Sequence, residues 1–474
     1  MKPSFQRTVS PLLAGFFLAG LLAVLVFYMI HNAHWFIGDE AIVIGTTGMG
    51  KAFSPLGFEG MATYYGRLYP FAYNLYNVLL PFFPGYVPVW AVYVLQAIAL
   101  ILFSVYFVRT ALYLLRDRAS GWKHGTAAFF AAVCIFRVYQ EFVTCYTGVW
   151  IVYLFLPIFL FHACRFQETE KWADGAVALV SINYIIYCYE TVFVVPLALG
   201  ACSLLFSFRN LTPRKKQFNG LLVGSGLLFL CIYAVFVLPK ATGFYHHYGS
   251  ESFFKNAVRM FVAHKIYWLA VVALAIRVVG LVRRKTSYSF YDSLLLSSLA
   301  YFVGAAVLKL DFTYYYNLGE LVALTALLYF LNQWLKPSWV CLFMVLLMLF
   351  YGRKIPGSIE RNQSGRTETC LAMDGLVRQW ESGTPFYWYA PEYQGSSPSY
   401  LDMRGTQRVR MEVYLSWLMH RDVAIPERVA PDGREKGVWL VYTEPGEDIP
   451  ETPALLTGCR KVFSLAGIDG YLVE

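Results

Sequence analysis

Two adjacent carboxylates, Asp39 and Glu40, follow the first long apolar run of the chain in the segment HWFIGDEAIVIG. One carboxylate of such a pair can act as a general base while its neighbour holds a metal ion or orients the loop. Adjacent side chains on a helix point about 100° apart, so the pair favours two separate tasks. A structural interpretation stays open beside the catalytic one, because acidic residues also favour the first turn of a surface helix.

A cation among aromatic and amide side chains comes next, in the segment YYGRLYPFAYNLYN. Arg67 can bind a phosphate through two parallel hydrogen bonds, and Tyr69 and Asn74 can hydrogen-bond sugar hydroxyls. The segment therefore indicates a site for a phosphate and a sugar. The alternative interpretation of its tyrosines is a belt of aromatic rings at the membrane interface.

Two further acids, Glu141 and Glu190, lie in short turns between apolar runs. Ionisable groups at membrane depth are expensive to bury, and they usually face a cavity or a partner. We interpret both as candidate ligands for a metal ion or for an acceptor. For Glu141 the structural alternative is an ion pair with Arg137, one helical turn earlier.

The second long loop of the chain contains the adjacent pair His246 and His247, with Lys240 and Arg259 nearby. Such a histidine pair can ligate a metal ion or contact an anion, and an exposed loop without a ligand is the alternative. Lys309 ends a later apolar run, where it either snorkels to the interface or contacts a phosphate. These cations are candidate substrate-binding residues.

The composition indicates an integral membrane protein. Hydrophobic residues make up 58% of the 474 residues and charged residues only 15%, whereas soluble proteins carry roughly 25% charged residues. The net charge of +9 does not predict a nucleic-acid partner, because the basic residues lie in short loops between apolar runs rather than on one patch. The first apolar run is too long for a signal peptide, and we interpret it as a retained anchor.

The apolar runs predict an α-helical polytopic protein with about eleven transmembrane helices of roughly 15 to 25 residues each. The runs lie near residues 11–30, 87–115, 125–138, 149–164, 173–189, 192–208, 218–238, 265–282, 292–310, 317–335 and 338–352.

Lysines and arginines alternate between loops and predict which side of the membrane is cytoplasmic. The acidic pair, the loops 31–86 and 239–264 and the C-terminal tail then fall on the opposite, extracytoplasmic side. Both long loops are predicted to contain helices along the membrane surface. The predicted division is a transmembrane domain over 1–354 and a small extracytoplasmic α/β domain over 355–474, with strands in PFYWYA, GVWLVYT and KVFSLAGIDGYLVE.

No Walker loop, dinucleotide fingerprint, GxSxG or HExxH motif occurs in the sequence. A group-transfer reaction on the extracytoplasmic side therefore needs a substrate that arrives already activated through the membrane.

These features together resemble the GT-C superfamily of membrane glycosyltransferases, especially protein O-mannosyltransferases and lipid A aminoarabinose transferases. Those families place an Asp-Glu pair in the first extracytoplasmic loop, as GDEAIVIG does here, followed by surface helices and a stretch like GRLYPFAYNLYN. A later turn with tyrosine before an apolar helix is matched by DFTYYYNLGELVALTALL, which includes Tyr315. The tandem prolines common in the family are reduced here to Tyr69-Pro70.

The resemblance implies an inverting glycosyltransferase with a sugar on a polyprenyl phosphate as donor and a glycan, lipid or protein as acceptor. Asp39 would be the general base and Glu40 a support for a metal ion or the loop. The residues that it implies for phosphate binding are Arg67, Lys240 and Lys309, and those that it implies for a divalent metal (Mg or Mn) are Glu40, Glu141 and Glu190.

We expect a monomer in a bacterial inner membrane, with its active site facing the periplasm or exterior. Two other functions fit the same substrates. A flippase of lipid-linked saccharides would show internal repeats, which the sequence lacks. A glycan polymerase or ligase would depend more on His246, His247 and Arg259.

Overall fold

The structure is a computed structural model that describes thirteen stretches of the chain. They are residues 3–35, 40–54, 68–117, 122–144, 149–240, 253–308, 310, 314–389, 398–428, 435–442, 456, 458–465 and 467–474.

Fifteen α-helices lie within these stretches. In chain order they are α1 (Pro3–His31), α2 (Glu40–Val43), α3 (Val89–Leu114), α4 (Trp122–Val143), α5 (Val149–Thr169), α6 (Trp172–Cys188), α7 (Val194–Ser207), α8 (Pro213–Ile232), α9 (Phe253–Ala263), α10 (Lys265–Val282), α11 (Phe290–Val307), α12 (Tyr314–Trp334), α13 (Pro337–Gly352), α14 (Ile355–Glu381) and α15 (Pro398–Met419). Each of the eleven predicted apolar runs coincides with one of these helices, so the polytopic helical fold class is confirmed.

Nine segments of the described chain are long and apolar enough to cross a membrane. Helix α6 is apolar but shorter, and α12 lies outside the nine. Nearly every side chain of α12 is buried, and the helix packs against α11, α10, α3 and α4. A helix that is covered on all sides can carry polar residues that a lipid-facing helix cannot, which explains why α12 contains two of them near its start.

The C-terminal segment forms a five-stranded sheet beside two helices. Its strands are β1 (Phe386–Tyr389), β2 (Glu427–Arg428), β3 (Gly437–Tyr442), β4 (Arg460–Leu465) and β5 (Ile468–Val473), in the spatial order β2-β1-β3-β5-β4. β1 runs parallel to β2 and β3, and β4 and β5 form the predicted antiparallel hairpin. The three segments predicted as strands are therefore strands.

Helix α14 connects the membrane helices to this sheet. Near its start, Asn362 hydrogen-bonds Gln140 of α4 at 3.0 Å. One turn later the buried guanidinium of Arg366 donates to the carbonyl oxygens of His34 and of Val143, the latter at 2.6 Å. These contacts attach α14 to the end of the helix bundle that carries residues 40–54, which we call the loop end.

Candidate active site at the loop end

Five of the predicted site residues lie outside the residues that the structure describes: Asp39, Arg67, His246, His247 and Lys309. Glu40 is described. It is the first residue of α2, where a carboxylate favours the helix N-terminus, and only 1% of its surface is exposed. The helix continues without a break as a π-helical turn over Ile44–Gly48. The acidic pair is therefore followed at once by a buried, ordered helical segment rather than by an open loop.

Helix α15 of the C-terminal segment covers this helical turn. Two glycines of the turn allow the close approach, because a methyl group at Gly45 would lie 3.1 Å from Val413 and one at Gly48 would lie 3.1 Å from Trp417. Both values are tighter than ordinary van der Waals contact. The turn is thus enclosed between the membrane helices and a helix that is encoded far later in the chain.

An aromatic cluster fixes the contact between α15 and the first loop. The ring of Trp417 meets Trp35 edge-on at 6.0 Å and stacks on Tyr86 at 5.5 Å. The hydroxyl of Tyr414 donates to the carbonyl oxygen of Trp35 at 3.5 Å. Burial raises the pKa of Tyr414 well above its usual range, so this hydroxyl keeps its proton and remains a donor.

The segment after Arg67 folds against the loop through Asn77 rather than through the predicted Asn74. The side chain of Asn77 accepts from the backbone N–H of Phe53 at 2.8 Å and donates to the carbonyl oxygen of the same residue at 2.9 Å. Asn74 and Tyr69 are partly exposed. Nothing in the sequence distinguished Asn77 from Asn74, since both follow aromatic residues in the same segment.

The predicted residues Glu190 and Tyr315 belong to one region. The ring of Tyr189, the neighbour of Glu190, stacks on Tyr315 at 5.6 Å. The hydroxyl of Tyr301 donates to the backbone carbonyl of Tyr315 at 2.9 Å and lies 3.1 Å from the hydroxyl of Thr191.

The segment that carries Tyr69 and Asn74 reaches the same region. The backbone N–H of Phe71 donates to the carbonyl oxygen of Tyr187 at 3.1 Å, three residues before Glu190. The structure therefore brings the Tyr69 segment, the Glu190 turn and the start of α12 to adjacent positions at the loop end.

Two predicted cations lie on separate elements. Arg259 of α9 donates to the side-chain oxygen of Asn256 at 3.0 Å, and Asn256 donates to the carbonyl oxygen of Leu310 at 3.1 Å. Leu310 is the chain neighbour of Lys309, so α9 is attached to the segment that carries this lysine. Lys240 is exposed at the end of a short helix over Leu238–Lys240.

A buried ionic network, which the sequence analysis missed, lies beside this region. Arg137 of α4 pairs with Glu320 of α12 at 2.5 Å, and its guanidinium also donates to the side-chain oxygen of Asn317 at 2.6 Å. The amide of Asn317 donates in turn to the carboxylate of Glu141 at 3.3 Å. The ion pair of Arg137 is therefore with Glu320, and Glu141 reaches Arg137 only through Asn317, in place of the direct pair left open as the structural alternative.

His264 completes the network, with its Nδ1 between a hydrogen-bond donor and an acceptor. Its Nδ1 lies 3.2 Å from a guanidinium nitrogen of Arg137 and 3.3 Å from a carboxylate oxygen of Glu320. Arginine only donates and an ionised carboxylate only accepts. Nδ1 therefore hydrogen-bonds Arg137 when it is unprotonated and Glu320 when it is protonated. The ring of Tyr351 lies under the guanidinium at 4.7 Å.

The three acids predicted to hold a metal ion do not form a ligand set. Within the described stretches, no group of three or more histidine, cysteine or acidic side chains has the spacing of a metal site. Glu40 is buried beneath α15, and Glu141 belongs to the network of Arg137. The described residues therefore supply no metal centre on which a reaction step can be built.

The fold is similar to that of ArnT from Cupriavidus metallidurans, a lipid A aminoarabinose transferase of the GT-C type. The crystal structure bound to undecaprenyl phosphate matches with a TM-score of 0.52 and 11% identity, over 96% of this chain and 97% of that one. The apo structure matches with a TM-score of 0.50 and 12% identity over the same shares. No family model and no curated protein matches the chain. The likeness confirms the GT-C fold expected from the sequence.

Proposed function

We propose that this chain is a glycosyltransferase that moves a sugar from a polyprenyl-phosphate donor to a glycan, lipid or protein acceptor. The observation that carries the proposal is the acidic pair, with Glu40 buried at the start of α2 and the following turn enclosed by α15. The shared fold supports it, because one ArnT structure holds undecaprenyl phosphate. The proposed site faces the periplasm or exterior of a bacterial inner membrane, and the functional unit is a monomer.

The proposed reaction is a single displacement at the anomeric carbon. Asp39 takes the proton from an acceptor hydroxyl, and the oxygen attacks the anomeric carbon opposite the phosphate. The bond between that carbon and the phosphate oxygen breaks, and its electron pair leaves with polyprenyl phosphate. The configuration at the anomeric carbon is therefore inverted. Glu40, held in the first turn of α2, is proposed to support the loop that carries Asp39.

Cations at the loop end are proposed to stabilise the negative charge that develops on the leaving phosphate. Arg259 is the best-supported of them, because its guanidinium is held by Asn256, which is itself bonded to the backbone beside Lys309. The other cations of the proposed phosphate- and substrate-binding set are Arg67, Lys240, His246, His247 and Lys309.

The acceptor side of the proposed site is aromatic. Tyr69 and Asn74 are partly exposed, and the buried rings of Tyr189 and Tyr315 stack on each other next to Glu190. Phenol and amide groups can hydrogen-bond sugar hydroxyls, and the partly exposed ring of Tyr69 can cover the apolar face of a sugar. Glu190 is proposed to contact the acceptor, and a requirement for Mg or Mn stays a prediction.

The test is a transfer assay with the purified full chain and a panel of polyprenyl-phosphate sugars, with and without EDTA. Asp39→Asn keeps the size of the side chain and removes the base, so we expect the transfer rate to fall by about 100-fold or more. Glu368→Gln, which changes an exposed acid of α14, is the matched control and should transfer normally.

Full activity of Asp39→Asn would refute the assignment of the base. Movement of the lipid-linked sugar across vesicles by this variant, without transfer by the wild type, would instead identify a flippase. Loss of activity in EDTA with recovery in Mg or Mn would establish the metal requirement.

A further inference from the structure

A pocket of about 790 Å³ lies in the C-terminal segment, outside the site described above. It opens where α14 ends, β1 begins and the chain leaves α15. Its lining includes Trp380, Glu381, Thr384, Leu418 and Arg421. Its volume is within the range of sites that bind small organic molecules, roughly 300 to 1,000 Å³.

A second, smaller pocket of about 320 Å³ extends the first one. The two share residues 383–385, and the second continues to Lys436 at the start of β3. Because they share lining residues, the two pockets form one continuous groove. A groove lined by two hydroxyls (Ser382, Thr384), two acidic residues (Glu381, Glu474) and two cations (Arg421, Lys436) suits a chain-like polar ligand better than a compact apolar one.

The side chains of the pocket have the chemistry that recognises sugars. Trp380 is half-buried and packs its ring on Phe386 at 4.6 Å, so the ring is held in place while part of it stays open. A fixed indole ring covers the apolar face of a sugar, and carboxylate and guanidinium groups bond its hydroxyls in directed pairs. Glu381 and Arg421 are exposed and supply these two groups.

The last turn of α15 contacts the first loop on one side and lines the pocket on the other. Trp417 and His420 of this turn contact Tyr86 and the first loop, while Leu418 and Met419 line the pocket. A helix with its side chains is about 10 to 12 Å across, so at least one helix width separates the pocket from the enclosed turn.

The distance along α14 gives the same picture. Fourteen residues separate Arg366, which is bonded to the loop end, from Trp380, and they span about 21 Å of helix. A sugar in the pocket is thus too far from the acidic pair to be the one that reacts. A donor sugar is also excluded as the occupant, because its polyprenyl chain holds it at the bilayer.

We propose that this pocket binds a non-reacting sugar of the acceptor, which is accordingly a glycan several sugars long. The inference rests on the proposed function, and it selects the glycan among the acceptor classes named there. The groove holds one end of the acceptor, while the other end of the acceptor reaches the acidic pair, Asp39 and Glu40. The pocket therefore sets the affinity for long acceptors and leaves the chemical step unchanged.

The test measures binding without chemistry, so that it does not depend on the donor. The full chain in lipid nanodiscs is applied to a printed array of neutral and acidic envelope oligosaccharides that carry no lipid. We expect the wild type to bind at least one class, and Arg421→Ala to weaken that binding by about tenfold or more. Arg378→Ala is the matched control and should bind as the wild type does, because Arg378 is exposed in the last turn of α14 and is not among the residues that line the pocket.

Trp380 provides a second variant pair. Trp380→Ala should also lose binding, and Trp380→Phe should recover most of it because a flat ring is kept. If Trp380→Ala fails to fold, Arg421→Ala alone decides. Absence of binding by the wild type, or equal binding by the wild type and Arg421→Ala, would overturn the inference.

The two proposals can fail separately. Asp39→Asn should bind the array normally, because the pocket does not use the base. Array binding by a chain that transfers no sugar would leave the pocket in place and refute the proposed function. Transfer that needs Asp39, with the same KM for a long acceptor in Arg421→Ala, would refute the pocket alone.

Discussion

Arg137 of α4 and Glu320 of α12 form an ion pair of 2.5 Å, although 183 residues separate them in the chain. The carboxylate of Glu320 is fully buried and 14% of the side chain of Arg137 is exposed. This pair joins the two helices whose loop ends carry Glu141 and Tyr315. The geometry of the candidate site therefore depends on a contact inside the helix bundle.

Arg137→Ala should destabilise the protein by about 3 to 5 kcal/mol, because the variant leaves the carboxylate of Glu320 buried without its partner. The measurement is the free energy of unfolding in mixed micelles titrated with SDS. Replacing both residues by apolar ones, in Arg137→Met with Glu320→Leu, should recover much of the loss.

The matched control for this pair is Lys461→Ala, which breaks the exposed pair of Lys461 with Asp469 at 2.7 Å. A surface pair contributes about 0 to 1 kcal/mol, so the change should be small. Equal losses of unfolding free energy for Arg137→Ala and Lys461→Ala would show that the buried pair stabilises the protein no more than the exposed one.

Gly48→Val should lower the transfer rate by at least about tenfold, because a displaced reacting group loses alignment with its substrate. Even a methyl group at this position would lie 3.1 Å from the ring of Trp417. The larger valine side chain therefore pushes α15 away from the turn Ile44–Gly48. The measurement is the initial rate of transfer at saturating donor.

Gly357→Val is the control for this change, because nothing lies within 4 Å of a methyl group at that position in α14. It should leave both the rate and the stability close to those of the wild type. An unchanged transfer rate in Gly48→Val would mean that the contact with α15 does not position the acids.

Asn77→Ala should destabilise the protein by about 1 to 3 kcal/mol through the loss of two hydrogen bonds to the backbone of Phe53. Asn74→Ala is the comparison, three residues earlier in the same segment, and it should leave the free energy of unfolding near the wild-type value. Both are measured by the same SDS titration, and a larger effect of Asn74→Ala would reverse the assignment.

Much of the fold could be predicted because lipid imposes a strict requirement. A helix that crosses lipid must be mostly apolar, so each of the eleven apolar runs identified a helix, and nine segments of the described chain are long and apolar enough to cross a membrane. Helix α12 was located by its apolar run although it carries Asn317 and Glu320 and lies outside those nine segments. The strands of the C-terminal sheet were also located, because β-branched and aromatic residues alternate in short runs.

The contacts between distant segments could not be predicted. A single sequence offers Arg137 the nearby partner Glu141, whereas the folded chain provides Glu320 from another helix. The same limit applies to Val413 and Trp417, which cover a turn near the other end of the chain. Local spacing identifies which side chains are charged or bulky, and only tertiary packing decides what they meet.

The packing of α15 on the turn Ile44–Gly48 has a consequence for the synthesis of the protein. The residues of α15 that pack on Gly45 and Gly48 are synthesised about 370 residues after them, which takes roughly 20 to 70 seconds at ordinary rates of translation. During that interval the nascent chain carries Glu40 and the turn Ile44–Gly48 without the helix that packs on them. Interrupted synthesis therefore leaves this turn uncovered in the membrane, and only a chain extended through α15 covers it.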